Sequence, residues 1–143
     1  MFFCKLKPWI IQHLIKASEF MAEHNDIGIK GEEIAVMHLL SKSYYILEKN
    51  WRYGRLEVDI IARQKDELVI VEVKTRTGNF LASPGETVDK RKQKMLIRAA
   101  NAYISKTKMN LDVRFDIITV NFSNKTKYQV YHIEDAFYPH VRS

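Results

Sequence analysis

The feature that most constrains the fold is a pair of apolar, β-branched segments joined by a short polar loop. The segments are Leu56–Arg63 and Leu68–Thr75, and the loop Gln64–Glu67 has the length of a β-hairpin connection. Two strand-like segments so close in sequence pair antiparallel unless a longer crossover intervenes. We therefore predict a hairpin at the centre of the fold.

The register of this hairpin brings acidic side chains together. Closing it over the loop places Asp59 opposite Glu72 and Glu57 opposite Lys74, and directly opposed residues have Cβ atoms about 4.5–5.5 Å apart. Because strand side chains alternate between faces, these four share one face. The reverse face would be aliphatic throughout, and its members are Val58, Ile60, Val71 and Val73.

Two carboxylates this close repel each other unless a proton or a cation intervenes. Mg²⁺ prefers oxygen ligands of this kind, and a protonated Lys74 beside them could stabilise negative charge on a phosphate. The alternative is a cross-strand ion-pair ladder on a solvated sheet face, in which Lys74 neutralises Glu57 and Glu72. The residues alone leave both interpretations open.

The remaining segments predict a mixed sheet flanked by helices, an α/β fold with the order α-β-β-β-α-β-β. The second helix begins either at the capping-box pattern Ser83–Glu86 or at Asp89. The other predicted elements are a helix from an Asp26 N-cap to about Lys42, a strand Tyr44–Trp51, the second helix to about Lys106, and strands Val113–Phe122 and Lys127–Ile133.

Composition narrows the functional class. The 143 residues suit one domain, and a net charge of +6 favours a polyanionic partner, nucleic acid first. A lone Cys4 excludes an internal disulfide and a multi-cysteine zinc site. With no apolar run of spanning length, we expect a cytoplasmic protein that does not enter the membrane.

The first twenty residues differ from the rest. Their apolar positions are interrupted by polar ones and Ala17–Glu19 is a poor cleavage site, so we do not expect a signal peptide. After Pro8 the spacing fits a short amphipathic helix. Residues 1–20 are either a poorly ordered extension, a misassigned start before Met21, or a membrane or partner contact. The functional domain is expected at 21–143.

The spacing of Asp59 and Glu72-Val73-Lys74 resembles the PD-(D/E)XK nuclease superfamily. Further matching segments, in order, are Gly28–Glu32, Ile46-Leu47, Asn50–Arg52, Glu57–Ala62, Val71–Arg76, Pro84, Glu86, Lys92 and Ala99–Tyr103. Over about residues 26–120 the chain resembles the uncharacterised bacterial YraN family, which is similar to archaeal Holliday junction resolvases. It departs from that pattern at Leu56 and Ser43, where glycine is usual.

The resemblance implies a restriction-endonuclease-like fold and assigns roles. Asp59, Glu72 and the carbonyl of Val73 would bind Mg²⁺ or Mn²⁺, Lys74 would be the catalytic lysine, and Glu32 would orient a water or assist a second metal. The implied activity is metal-dependent endonucleolytic hydrolysis of DNA, branched or damaged, by a homodimer. Two alternatives are a non-catalytic nucleic-acid-binding module with the same fold and a structural protein whose acidic face binds another protein.

Cations on the second helix suggest where nucleic acid would lie. Lys90, Lys94 and Arg98 recur at steps of four and form one stripe, which Lys92 widens. Further cations, Arg52 and Arg76, flank the hairpin. The alternative is an ordinary solvated helix face.

Overall fold

The computed structural model describes residues 8–78 and 88–139. The elements are helix α1 (Pro8–Ser41), strands β1 (Tyr45–Tyr53), β2 (Leu56–Gln64) and β3 (Glu67–Thr77), helix α2 (Lys90–Thr107), and strands β4 (Asp112–Phe122) and β5 (Tyr128–Ile133). This order is the predicted one, and the α/β class with a mixed sheet is confirmed.

The five strands form one sheet in sequence order, β1-β2-β3-β4-β5. Three neighbouring pairs are antiparallel, and β3 and β4 are parallel. A parallel pair needs a crossover connection, and α2 lies within it. The β3–β4 ladder is continuous from Glu67 and Asp112 to Thr77 and Phe122.

The central hairpin keeps the predicted register over part of its length. The ladder runs from Gln64 paired with Glu67 to Ile60 paired with Val71, and it ends there. The connection is shorter than predicted because Gln64 and Glu67 pair, which leaves two residues in the turn. Lys65, one of the two, has the positive φ of 52° that tight hairpin turns require.

Beyond that point the two strands part. The first half of β2 stays with β1, where Trp51 pairs with Val58, while β3 stays with β4 to its end. We call the opening between residues 56–59 and 72–77 the fork. The pairs predicted for Asp59 with Glu72 and for Glu57 with Lys74 are therefore not ladder pairs.

The aliphatic face is also not the one predicted. Val58 packs in the same core cluster as Ile61, Leu68 and Ile70, a cluster that does not include Ile60. Residues three apart share a face only if the two-residue alternation is broken between them. Asn50, at φ 49°, lies on β1 between the residues paired with Ile60 and Val58, so the irregularity is shared by both strands.

Helix α1 is longer than predicted, and an N-cap at Asp26 is wrong. No proline follows Pro8 before Ser41, and a glycine within a helix costs only about 1 kcal/mol, so Gly28 and Gly31 do not interrupt it. The chain divides into two compact units, residues 1–30 and 31–143. No helix in the described ranges is long and apolar enough to cross a membrane.

Helix α2 begins where one of the two predicted caps places it. Asp89 is the N-cap, and its carboxylate accepts a hydrogen bond of 2.8 Å from the Lys92 backbone N–H. The other candidate, Ser83–Glu86, lies outside the described residues. The helix packs on the sheet through its buried side chains, which are Leu96, Ala99, Ala100 and Tyr103.

Candidate metal and nucleic-acid site

Asp59 lies in the fork, where its side chain links β2 to β3. Its Oδ2 accepts a hydrogen bond of 2.7 Å from the backbone N–H of Val73 on β3. Where two strands diverge, backbone N–H groups lose their ladder partners, and burying them unpaired is costly. The Asp59 side chain takes the place of the missing carbonyl acceptor. One carboxylate oxygen is thereby held beside β3, one residue from Glu72.

Glu72 brings a second buried carboxylate to the fork. Its side chain is 13% exposed, and Lys92 Nζ on α2 lies 3.2 Å from Oε2. Among the described residues, none donates a well-oriented hydrogen bond to this buried oxygen. A buried carboxylate oxygen without a hydrogen bond is costly, so Glu72 Oε2 has capacity left for a further ligand.

The electrostatics of the pair follow from burial and mutual repulsion. Burial, reinforced by the nearby Glu72 carboxylate, raises the pKa of Asp59 from 3.8 to about 6. The Val73 hydrogen bond and the Lys92 ammonium act in the opposite direction and are outweighed. Burial and a second carboxylate therefore disfavour the charged form of Asp59, and a divalent cation bound beside both carboxylates would favour it.

Glu32 reaches the same region from α1 because Gly31 precedes it. A Cβ at residue 31 would overlap the Thr75 side chain, so glycine lets the helix approach β3 this closely without displacing that side chain. Burial raises the pKa of Glu32, with further increases from the carboxylates of Asp59 and Glu57. A side-chain hydrogen bond with Asn50 lowers it in part.

The other predicted side chains near the fork have different surroundings. Lys74 is half-buried on β3, two residues beyond Glu72 and on the same face by strand alternation. Glu57 forms a cross-strand ion pair with Arg52 on β1, at 3.0 Å.

The donor set fits a hard cation that needs few protein ligands. No cluster of three or more His, Cys, Asp or Glu side chains with metal-binding geometry occurs in the described ranges. Mg²⁺ commonly binds through one or two carboxylates and retains several waters. Two carboxylates and the Val73 carbonyl therefore suit Mg²⁺ or Mn²⁺, which would replace the Lys92 ammonium as the cation beside Glu72 Oε2.

The predicted cations of α2 divide into two groups. Lys90, Lys94 and Arg98 are exposed and share the outer face of the helix, whereas Lys92 is half-buried against Glu72. A separation of two residues turns a helical side chain by more than half a turn, which explains the difference. Arg76 is exposed near the end of β3, beyond the fork.

Sequence reasoning missed a second buried polar cluster, around Asp116. Its carboxylate accepts hydrogen bonds from the Arg114 guanidinium, 2.9 and 3.0 Å, and lies 2.8 Å from His132 Nε2. Burial alone would raise the pKa of Asp116, but the hydrogen bonds from His132 and Arg114 lower it. His132 Nδ1 in turn lies 3.2 Å from His38 Nε2 on α1.

One signal could have revealed this cluster. Arg114 and Asp116 sit two residues apart within a strand that is buried over most of its length, so both face one side of the sheet. A charged pair at such positions is normally satisfied by further polar groups. Tyr44 supplies one of them, because its hydroxyl accepts from Arg114 at 2.6 Å. The cluster joins α1, β4 and β5 through hydrogen bonds, and its role is to stabilise the fold.

Comparison with known proteins identifies the family. The curated relatives include UPF0102 proteins of Bacteroides thetaiotaomicron, 49% identical, and Porphyromonas gingivalis, 47% identical. The alignments cover 83% and 82% of this chain and 98% and 87% of those proteins, respectively. The family model described as "Uncharacterised protein family UPF0102" matches residues 31–120, which contain the fork, Glu32 and α2. This chain is therefore a member of the UPF0102 family, the YraN family that its motifs resemble.

Proposed function

We propose that this protein is a metal-dependent endonuclease that hydrolyses phosphodiester bonds in DNA, including branched or damaged DNA, in the cytoplasm. The observation that carries the proposal is the carboxylate pair in the fork. Asp59 is held against β3 by the Val73 N–H, and Glu72 presents a buried oxygen without a hydrogen bond. Supporting it are the raised pKa of Asp59 and the cations on α2.

The proposed roles follow from position. Asp59, Glu72 and the Val73 carbonyl would hold Mg²⁺ or Mn²⁺, which would supply positive charge against the phosphate oxygens. The Lys74 ammonium, on the same face as Glu72, would donate hydrogen bonds to the phosphate as its negative charge grows. Glu32, whose pKa is raised by burial, would orient the attacking water and accept its proton.

The reaction consumes one water molecule. The water oxygen bonds to phosphorus, one phosphorus–oxygen bond to a neighbouring sugar breaks, and the leaving oxygen takes up a proton. The products are a phosphate monoester on one fragment and a hydroxyl on the other. The restriction-endonuclease-like fold and a homodimeric state belong to the same proposal.

Cleavage assays test this directly. Branched, nicked and single-stranded DNA are incubated with the protein and Mg²⁺ or Mn²⁺, and the products are resolved on a denaturing gel. We expect products with the wild type and a loss of at least a hundredfold in rate for Asp59→Asn and Lys74→Ala. Asp66→Asn, in the exposed hairpin turn, is the control and should retain activity. Cleavage that persists in the first two variants refutes the assigned site.

A second candidate is a nucleic-acid-binding module without catalysis. It is favoured by the Lys92 ammonium, which lies 3.2 Å from Glu72 Oε2 and supplies a positive charge where the metal would sit. The two candidates differ in what Lys92→Gln does. If Lys92 gives way to the metal, this variant should bind Mn²⁺ more tightly, which is measured as a larger metal-induced rise in Tm.

Lys90→Gln is the matched control, because Lys90 is an exposed lysine on the same helix. It should leave the metal-induced shift unchanged. If Mn²⁺ changes the Tm of neither the wild type nor Lys92→Gln, the fork does not bind metal and the non-catalytic module is the better account.

A further inference from the structure

A groove lies beside the turn between β1 and β2, against the outer face of α2. Its volume is about 770 Å³, and its lining includes Tyr53, Arg55 and Leu56 from the strand side. From α2 the lining includes Arg91, Lys94, Met95 and Arg98. All of these residues belong to the unit formed by residues 31–143. We call this feature the strand groove.

The strand groove carries four cations and no opposing acid. Arg55, Arg91, Lys94 and Arg98 are all exposed. In the part of the chain that the structure describes, no carboxylate forms an ion pair with any of the four. Unopposed positive charges concentrated in a concave surface attract a polyanion and are not offset by internal pairing.

The floor of the groove is apolar. Tyr53, Leu56 and Met95 form it, and Tyr53 is 49% exposed. Trp51 stacks on Tyr53 with ring centroids 6.0 Å apart and planes at 8°, so the ring is held in place before any ligand binds. Lys106 Nζ lies 5.1 Å from the centre of the same ring. A preformed aromatic wall between cations suits a ligand with both phosphates and flat bases.

The apolar floor distinguishes an unpaired strand from a duplex. In a duplex the faces of the bases are covered by neighbouring bases, whereas an unpaired strand offers them to aromatic side chains. We propose that the strand groove binds an unpaired strand of nucleic acid, with its phosphates on the four cations and a base against Tyr53 and Met95. Sequence preference is not expected, since every base has a flat apolar face.

The groove leads towards the fork. Leu56, in its lining, precedes Asp59 by three residues of β2, which is about 10 Å along a strand. On α2, Lys92 contacts Glu72 while Arg91 and Lys94 line the groove. An unpaired strand bound there would therefore pass close to the carboxylates. If the protein has the proposed nuclease function, this path of the bound strand places cleavage next to unpaired stretches of DNA.

The test measures binding without catalysis. Fluorescence anisotropy with a labelled 20-nucleotide oligothymidine and with a duplex of equal length is recorded in excess EDTA over a series of salt concentrations. We expect the wild type to bind the single strand at least tenfold more tightly than the duplex. Lys94→Ala/Arg98→Ala should weaken single-strand binding about tenfold and reduce the salt slope by about 1.4, because each phosphate contact contributes about 0.7.

Two further variants test whether the single strand binds in the strand groove and not elsewhere on the protein. Tyr53→Ala should weaken single-strand binding about tenfold, with a smaller effect on the duplex. Lys127→Ala removes one positive charge from the exposed loop before β5, away from the groove, and should change neither affinity. Equal affinity for both DNAs, or an unchanged salt slope in Lys94→Ala/Arg98→Ala, overturns the proposal. Circular dichroism confirms that each variant is folded.

The two proposals fail separately. In EDTA, Asp59→Asn should bind the single strand at least as tightly as the wild type, because Asp59 does not line the groove and the substitution removes a negative charge near the path of the strand. Single-strand binding without cleavage under any metal would overturn the nuclease proposal and support the strand groove. Cleavage with binding unaffected by the groove variants would overturn the strand groove alone.

Discussion

Asp59→Asn should make the metal-free protein more stable while removing its proposed function. The native pKa of Asp59, about 6, lies above its ordinary 3.8, so the folded state binds the proton more tightly than the unfolded state does. The stability from this carboxyl is full below about pH 4 and is lost as the pH rises through 6. A shift of this size corresponds to about 3 kcal/mol.

Asparagine at position 59 avoids most of the loss of stability that the wild type undergoes when Asp59 ionises. Its side-chain oxygen can still accept the Val73 N–H, and it carries no charge to repel Glu72. Because the amide must itself be desolvated, we expect a gain of about 2 kcal/mol rather than 3 at pH 8. The gain should vanish below about pH 4, where Asp59 in the wild type is protonated in both the folded and the unfolded state.

Urea denaturation in EDTA, followed by tryptophan fluorescence at pH 4, 6 and 8, measures the free energy of unfolding of each protein. The wild type should lose stability relative to Asp59→Asn as the pH rises, and Asp66→Asn, in the exposed turn, should follow the wild type. Millimolar Mg²⁺ at pH 8 should stabilise the wild type and not Asp59→Asn. If Asp59→Asn is less stable than the wild type at pH 8, the raised pKa assigned to Asp59 in the folded protein is wrong.

Two other substitutions test the packing that supports the site. Gly31→Ala should cost about 1 kcal/mol of unfolding free energy, because the new methyl group overlaps the Thr75 side chain. Gly28→Ala has open space around it and should gain about 0.5–1 kcal/mol. Thermal denaturation that shows the same sign for both would contradict this. Arg114→Met should cost about 3–5 kcal/mol at pH 7, because it leaves the buried Asp116 carboxylate without its guanidinium partner. A loss below 1 kcal/mol in urea denaturation would show that Asp116 does not depend on that partner.

Much of the site could be predicted because it is local in sequence. Asp59 and Glu72 lie on two strands joined by a short turn, so the hairpin brings them near each other although they are not ladder pairs. The element order was predictable for the same reason, since strand and helix periodicities are read over a few residues. Helix α1 was predicted too short because glycine and a capping residue are weak signals that surrounding structure overrides.

Contacts between elements distant in sequence were not predictable. Lys92 was expected to face nucleic acid, and the structure places it against Glu72, because the packing of α2 on the sheet decides which of its faces is inside. The cluster of His38, Asp116 and His132 joins three elements whose approach no local pattern encodes. The prediction that side chains alternate between the two faces of β2 was also wrong at Val58, where β2 and β3 separate.

The amino-acid sequence by itself determined the strands, the helices, their order and the nearness of two acidic residues, because these depend on neighbours along the chain. Tertiary structure alone decided that the hairpin opens at Ile60 and Val71, that Asp59 caps the exposed N–H of Val73, and that one glutamate oxygen is buried without a hydrogen bond. The physical reason is that these features depend on strands distant in sequence. β2 pairs with β1 as well as with β3, and β3 pairs with β4 as well as with β2, so the point at which the hairpin ladder ends is not set by the hairpin alone.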